Sequence, residues 1–211
     1  MSIAQDDTTT AAASNQRDAH PIFDVLLSRQ SFGVWREPGP SDAELDLVFD
    51  AAMRAPDHGR LRPWQFVLIR GDARTAYADV VGAAIRRRDP NVDPAAVQKG
   101  RERILSVPLI IGVGAKIKTD CPIPEIEQLL STGAAAMNIL NGMHALGYGA
   151  KWVTGDNSYD RSINEALGFT WPDRLIGLMF VGTLPPNKGP AAQRPSRGDH
   201  VRDWKGPNTA V

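Results

Sequence analysis

The stretch Met53-Arg-Ala-Pro-Asp-His-Gly-Arg-Leu-Arg-Pro-Trp-Gln-Phe66 contains a helix end, a polar turn and the start of a strand. Pro56 stops the helix because proline has no backbone N–H to donate within it. Pro63 fixes the backbone just before residues 64–69, WQFVLI, whose aromatic and branched side chains are typical of a strand. A helix that leads through a short turn into a buried strand predicts a domain in which helices pack on a sheet.

Further helices and strands are predicted on both sides of this stretch. Ser41 and Glu44 have capping-box spacing, which predicts the start of the helix that Pro56 stops. The other predicted helices cover residues 21–28, 72–88, 95–105, 125–146 and 159–167, and the other predicted strands cover residues 108–115, 150–154 and 175–183. The order α, α, β, α, α, β, α, β, α, β predicts an α+β fold, an α/β sandwich. Residues 21–211 form one domain in this prediction, after a disordered tail at residues 1–20 that is rich in Thr, Ala, Ser and Gln.

The charge balance is neutral, with 24 Lys and Arg against 24 Asp and Glu and a pI near 6.9. A nucleic-acid-binding protein usually carries a basic excess, so no nucleic-acid partner is expected. The single cysteine, Cys121, cannot form an intramolecular disulfide, which is consistent with a cytoplasmic location. The sequence shows no signal-peptide pattern and no apolar run of the ~18 residues that a membrane span needs, so no membrane partner is expected.

Side-chain catalysts are not apparent in the sequence. It contains no GxSxG, no HExxH and no P-loop, and its four histidines are widely separated. The run at residues 112–116, GVGAK, lacks the third glycine of a dinucleotide motif, so we interpret its glycines as close-packing positions in a strand. Cys121 has no histidine near it in sequence and is interpreted as a packing thiol. If the chain is an enzyme, its reactive group is therefore expected to be a cofactor.

Three segments have the residue types of a site for a flat anionic ligand. Residues 28–31, SRQS, place an arginine and a serine where both can bind a phosphate, although a capped helix end would look the same. Residues 54–64 combine three arginines with His58 and Trp64, which suits an anionic aromatic ligand or an ordinary basic surface loop. Residues 147–155, GYGAKWVTG, leave backbone groups accessible to a ligand, or form a simple helix-to-strand turn.

Taken together, these motifs resemble the nitroreductase superfamily, and especially its branch of small bacterial NAD(P)H nitroreductases. The resemblance runs from about residue 22 to residue 183, and the spacing of APDH and PWxF is its most specific part. It implies a nitroreductase-like fold, in which a central, mostly antiparallel sheet is flanked by helices and a C-terminal arm reaches the partner subunit. It also implies a homodimer with FMN bound between the subunits.

The resemblance assigns particular residues to the cofactor and the nucleotide. Arg29, Gln30 and Ser31 would hold the phosphate and ribityl end of FMN. Arg54 and His58 would contact the flavin from the partner subunit. The main chain of a strand end would run along the isoalloxazine ring at Trp152, Val153 and Thr154. The stretch before it would contact the nicotinamide, and its residues are Gly142, Met143, His144, Ala145, Leu146 and Gly147.

The chain departs from the family pattern at several positions. Gln30 stands where the family has arginine, which removes one positive charge near the phosphate. Val153 replaces an arginine of close relatives, so only its backbone contact is expected to persist, and Arg62 stands where many members have glutamine. The tail after the last strand diverges, and a further phosphate contact from Arg194 or Arg197 stays open.

The activity that the resemblance implies is hydride transfer from NAD(P)H through the flavin to a nitroaromatic, a quinone or a similar acceptor. The flavin N5 atom carries this chemistry, so no side chain is expected as the catalyst. A cation near the pyrimidine edge would stabilise the reduced flavin, and Arg54 is the first candidate. The motifs do not distinguish NADH from NADPH, and they do not identify the acceptor.

Three alternatives stay open at this point. A flavoenzyme of the same fold could catalyse dehalogenation or flavin breakdown. An FMN-binding protein without catalytic activity would share the cofactor motifs. A nucleic-acid or protein interaction module could use Arg54, Arg60, Arg62 and Trp64, although the neutral charge and the lack of a repeated basic-aromatic pattern disfavour it.

Overall fold

Four strands form one sheet in the order β1-β2-β4-β3, and every neighbouring pair is antiparallel. The computed structural model of the protein describes residues 20–186 and 193–207. The strands are β1 (Trp64–Arg70), β2 (Leu109–Ala115), β3 (Tyr148–Val153) and β4 (Arg174–Thr183). The predicted α+β fold with a central antiparallel sheet is therefore confirmed. The expected tail at residues 1–20 lies, apart from His20, outside the described residues.

Seven α-helices occur in the described part of the chain, close to the predicted positions. They are α1 (Ile22–Ser28), α2 (Asp42–Ala52), α3 (Ala73–Arg88), α4 (Pro94–Leu105), α5 (Glu125–Ala145), α6 (Asp156–Tyr159) and α7 (Arg161–Ala166). The helix predicted at residues 159–167 was wrong in its extent, because two short helices meet at Asp160. The side chain of Asp160 accepts hydrogen bonds from the backbone N–H groups of Ser162 and Ile163, so it caps α7 and starts a new helix there.

The sheet separates two hydrophobic cores. On one face, α2 and α5 pack on residues such as Ile111, Met179 and Val181. On the other face, α3, α4 and α7 pack on Ile110 and Phe180, which alternate with the first set along the strands. All seven residues of β2 are buried, as expected for a central strand covered on both faces.

Close contacts at glycine fix the position of α5 and the packing of β2. A Cβ at Gly142 of α5 would lie 3.1 Å from Val48, so the small residue lets α2 approach α5 closely. A Cβ at Gly114 of β2 would lie 2.1 Å from the ring of Phe169. This contact agrees with the interpretation of the GVGAK glycines as close-packing positions.

Strand β3 begins at Tyr148, two residues before the predicted start. Tyr148 and Gly149 pair with Thr183 and Gly182 at the end of β4, so long-range pairing extends the strand into the glycine-rich stretch. The Tyr148 hydroxyl also donates to Glu44 Oε2 at 2.9 Å, which ties β3 to the capped start of α2. Within residues 20–186 and 193–207, no helix combines the length and the apolar character needed to cross a membrane.

Asp160 joins α3 to the segment after β3. Its carboxylate lies 2.8 Å from Arg87 and 2.7 Å from Arg88, and only 6% of the side chain is exposed. Burial alone would raise the pKa of Asp160, but hydrogen bonds from Ser162, Arg88 and the Ile163 backbone, together with the charge of Arg87, lower it overall.

We predict that Asp160→Asn destabilises the protein by about 1–2 kcal/mol at pH 7, because asparagine keeps the helix cap but loses the charge that pairs with two arginines. The lowered folded-state pKa means that this contribution is present above the unfolded value of about 3.9 and is lost as the pH falls through the folded value. Urea denaturation at pH 7 and at several lower pH values measures the difference. An equal difference between wild type and variant across this range would contradict the prediction.

Candidate functional site

The segment after α1 runs beside the edge strand β3. The Phe32 backbone N–H donates to the Ala150 carbonyl at 3.4 Å, and the Trp35 indole N–H donates to the Gly149 carbonyl at 3.1 Å. A Cβ at Gly149 would lie 2.3 Å from Leu184, so only glycine lets these chains pass so close. This packing places residues 28–31, the Arg29 segment, next to β3.

Arg29 has the environment of an anion-binding residue. Its side chain is half-buried, and within the described residues its Nε atom is buried without a hydrogen-bond partner. The Arg194 guanidinium donates to the Arg29 carbonyl oxygen, so a second cation lies close by. Burial, followed by the charge of Arg194, lowers the pKa of Arg29. An anion bound here would accept a hydrogen bond from the buried Nε–H of Arg29. It would also reduce the repulsion between the Arg29 and Arg194 guanidinium groups.

Arg194 was left as an open candidate by the sequence. It is one of several arginines in a polar tail, and nothing in its neighbours sets it apart. Only the fold brings it to the Arg29 segment, across 165 positions of the chain. Gln30 is half-buried and Ser31 exposed beside Arg29, so both predicted neighbours lie at the same place.

Residues 54–62, the His58 turn, are anchored to the first half of α5. The Ser131 hydroxyl donates to the Pro56 carbonyl at 2.7 Å, and His58 Nδ1 lies 2.6 Å from Glu127 Oε2. A Cβ at Gly59, where φ is +69°, would lie 2.3 Å from the Ile123 side chain. The turn is therefore held in one position, while Arg54 at its start is exposed. The roles of Glu127 and Ser131 were not predicted, since both lie in an ordinary helical pattern.

The Arg29 segment and the His58 turn lie at opposite ends of α5. Ser28 Oγ lies 2.8 Å from His144 Nε2 near the end of that helix, whereas His58 contacts Glu127 near its start. At about 1.5 Å of rise per residue, the helix between these two contacts is about 25 Å long. One ligand that touches Arg29 and His58 of the same chain would have to span this distance. The structure thus brings Arg29 to β3 but leaves His58 near the opposite end of α5.

Trp152, Val153 and Thr154 lie where β3 ends. The Trp152 indole N–H donates to the Ile176 carbonyl at 3.3 Å. The indole ring packs against Gly177, where a Cβ would lie 2.0 Å from the indole nitrogen. Trp152 and Val153 are half-buried and Thr154 is exposed, so the backbone here is accessible at one edge of the sheet.

An open groove of about 810 Å³ lies next to this edge. Tyr159 and Trp171 line it with 78% and 82% of their surface exposed, and Arg174 stacks on the Trp171 ring with 4.3 Å between Cζ and the ring centroid. A concave surface of this size with aromatic walls is typical of a small-molecule site. The sequence did not predict the groove, because its walls come from four separate elements.

The stretch predicted to meet nicotinamide is the last turn of α5 and the residues after it. Met143 is fully buried in the core, and Gly142 packs on Val48. Ala145 and Gly147 are exposed, so these are the members of the stretch that a ligand can reach most easily. The assignment of this stretch to the nucleotide stays a prediction.

The cysteine and the acidic groups do not form a metal site in the described part of the chain. No group of three or more His, Cys, Asp or Glu residues that could hold a metal ion occurs there. The Cys121 thiol is half-buried, with its Sγ 3.5 Å from the Lys118 carbonyl and 3.8 Å from the Ile123 carbonyl. These contacts are those of a packing thiol.

An apolar surface covers α1 and one side of α5. None of the residues of α1 is buried, although the helix carries five apolar side chains. The exposed apolar residues of the two helices are Ile22, Phe23, Leu26, Leu27, Ile126, Leu130 and Met137. Large apolar side chains exposed on neighbouring helices are typical of a protein interface.

Comparison with known proteins gives a consistent result. A family model described as "Nitroreductase family" matches residues 36–183. The chain is 33% identical over 163 residues to "Putative NAD(P)H nitroreductase YdjA" of Escherichia coli (strain K12), a match that covers 76% of this chain and 87% of that protein.

Solved structures show the same fold. The nitroreductase-like family protein from Bacillus cereus has a TM-score of 0.74 at 22% identity, with 88% of this chain and 96% of that chain covered. The structure titled "putative nitroreductase in complex with FMN" from Desulfovibrio desulfuricans has a TM-score of 0.68 at 21% identity, with 89% and 99% covered. The predicted nitroreductase-like fold is therefore confirmed.

Proposed function

The chain belongs to the nitroreductase family, and we propose that it is an FMN-dependent enzyme that transfers hydride from NAD(P)H to a nitroaromatic, a quinone or a similar acceptor. One observation carries the assignment of the cofactor. The Nε atom of Arg29 is buried without a partner in the described residues, and a second cation, Arg194, lies beside it. A phosphate on a flat organic cofactor satisfies this arrangement.

The residues around Arg29 fit the phosphate end of FMN. Arg29 and Arg194 supply charge and N–H donors, and Ser31 adds a hydroxyl at the exposed end of the segment. Gln30, which replaces an arginine of the family pattern, leaves Arg194 as the second cation near Arg29. FMN, when bound, supplies a two-electron centre that takes hydride from a nicotinamide and passes electrons to the acceptor.

The strand end at Trp152–Thr154 fits the flat part of the cofactor. Trp152 is held by its bond to Ile176, which also lines the groove, so the backbone at Trp152 has one fixed course. Fixed backbone donors and acceptors can bind the polar edge of a flat ring without a dedicated side chain. This agrees with the lack of catalytic side-chain motifs in the sequence.

Arg54 and His58 would act on the flavin of the partner subunit. A carboxylate can only accept, so His58 donates from Nδ1 to Glu127, and this bond fixes the ring. Arg54 would stabilise negative charge on the reduced cofactor. The separation of about 25 Å along α5 supports contribution from a second chain, since one flavin cannot reach both ends of that helix.

A homodimer is supported by the apolar surface of α1 and α5. Its residues are exposed in the single chain, and burial against a copy of the same surface would remove them from water. Val201 and Trp204 in the C-terminal segment are 53% and 80% exposed, which suits an arm that lies on the partner.

The absorption spectrum of the purified protein tests the proposal directly. We expect the bands of bound FMN, and we expect them to bleach when NADPH or NADH is added without air. Added nitroaromatic or quinone should then restore them. A colourless protein that binds no added FMN would refute the proposal, and a yellow protein that neither nucleotide bleaches would show a binding protein without this activity.

We predict that Arg29→Gln weakens binding of FMN by about 10-fold to 100-fold, because it removes a charged donor from the phosphate. Binding of riboflavin, which has no phosphate, should change little. Fluorescence titration of the apoprotein with both flavins gives the comparison. Arg36→Gln is the matched control, since Arg36 is an exposed arginine of the same loop whose backbone pairs with Thr183. An equal loss of affinity for the two flavins would contradict a phosphate contact.

We predict that Arg54→Ala lowers FMN occupancy or slows flavin reduction at least about 10-fold, because the reduced cofactor loses a stabilising cation. Mixed dimers test whether Arg54 acts across the interface. The Arg29→Gln and Arg54→Ala proteins are unfolded, mixed and refolded together. If each site takes Arg29 from one chain and Arg54 from the other, a dimer with one chain of each variant has one intact site. Activity should then rise toward about a quarter of wild type at equal mixing, since half the dimers are hybrids. No rise would mean that both residues serve one chain.

A further inference from the structure

Two arginines of the His58 turn have an unusual backbone conformation. Within residues 20–186 and 193–207, Arg60 and Arg62 are the two non-glycine residues with positive φ, at 55° and 51°. Residues other than glycine, asparagine and aspartate rarely adopt this region, because Cβ crowds the carbonyl oxygen. Glycine would be the natural residue for the local backbone at either position. The side chains of Arg60 and Arg62 therefore need another explanation.

The backbone of the turn is fixed, whereas its guanidinium groups have no partners. The Arg62 backbone N–H donates to Asp57 Oδ2 at 2.8 Å, and Ser131 and Glu127 hold the turn on α5. Both Arg60 and Arg62 are exposed. In the described residues, neither guanidinium makes an ion pair or hydrogen bond, whereas arginines on α3 pair with carboxylates. The turn thus presents two unpaired guanidinium groups on a rigid support.

We infer that Arg60 and Arg62 bind the 2′-phosphate of NADPH and give the enzyme a preference for NADPH over NADH. This rests on the proposed function, in which Arg54 and His58 of the same turn lie beside the flavin of the partner. A nucleotide that reduces the flavin must place its nicotinamide on the ring, so its adenosine end extends outward. Arg60 and Arg62 follow His58 in the turn and are exposed there.

The chemistry of the turn fits a phosphate monoester. Such a group carries nearly two negative charges at neutral pH and several acceptor oxygens, which two guanidinium groups can bind in bidentate fashion. In the proposed dimer the flavin phosphate is assigned to Arg29 and Arg194 of one chain and the 2′-phosphate to Arg60 and Arg62 of the other, so each phosphate has its own pair of cations. NADH has no 2′-phosphate and would gain nothing from Arg60 and Arg62.

Kinetics with both nucleotides tests this inference. Arg60→Asn and Arg62→Asn remove charge and keep a residue that tolerates positive φ. We expect each to raise KM for NADPH about 10-fold, the double variant more, and kcat and KM for NADH to stay near wild type. Raised salt should weaken NADPH binding in wild type and much less in the double variant. Arg60→Lys with Arg62→Lys should recover part of the preference, since the charge returns without the planar fork.

The controls separate the possible outcomes. Arg86→Gln removes an exposed arginine of α3, on the other face of the sheet, and should leave both KM values unchanged. FMN content of every variant should equal that of wild type. Equal rises in KM for both nucleotides would assign the arginines to the shared pyrophosphate and overturn the inference, as would no rise for either. Wild-type protein that neither nucleotide reduces would refute the proposed function itself, and the inference with it.

Discussion

The length and stiffness of α5 are the constraint on which the arrangement of the site depends. The helix has 21 residues, so it is about 30 Å long at 1.5 Å of rise per residue. Its first turns hold the His58 turn through Glu127 and Ser131, and its last turn meets Ser28. A helix packed along its length on the sheet cannot bend to bring these ends together. A flat cofactor that needs both ends must take them from two chains, and the apolar surface of α1 and α5 is where a second chain would pack.

The same fold places uncompensated positive charge at both ends of α5. Arg29 and Arg194 are close to each other without a carboxylate between them, and Arg60 and Arg62 are exposed on a strained turn. Each left-handed arginine costs about 1–3 kcal/mol, which the anchoring of the turn on α5 must offset. Several other arginines pair with carboxylates, as Arg87 and Arg88 do with Asp160. The free energy of unfolding is therefore lower than it would be if these arginines were paired or replaced. Such a loss of stability is common where a charged ligand binds.

The sequence predicted the parts of the structure that local chemistry determines. Apolar runs and proline stops placed the strands, and the Ser41–Glu44 pair marked the start of α2. It failed where tertiary contacts decide: the pairing of Tyr148 with Thr183 extends β3, and the contacts of Asp160 divide a helix. For the site, the motifs selected the candidate segments but could not show their separation. That separation depends on which end of α5 each segment contacts, and the contacts with Glu127, Ser131 and His144 leave no local pattern.

A neutral total charge also conceals how the charge is distributed. The equal numbers of acidic and basic residues disfavoured a nucleic-acid partner, yet they do not exclude a strong local field at two small places. With the cofactor site and the inferred NADPH preference taken together, phosphates bind at both ends of the site, one on the cofactor and one on the nucleotide. The binding energy then comes from these ends, and the flat ring between them needs only backbone contacts and an aromatic groove. Because no side chain is committed to the acceptor, the enzyme would accept aromatic oxidants by their shape and reduction potential, and this explains why the motifs contain no signature for one acceptor.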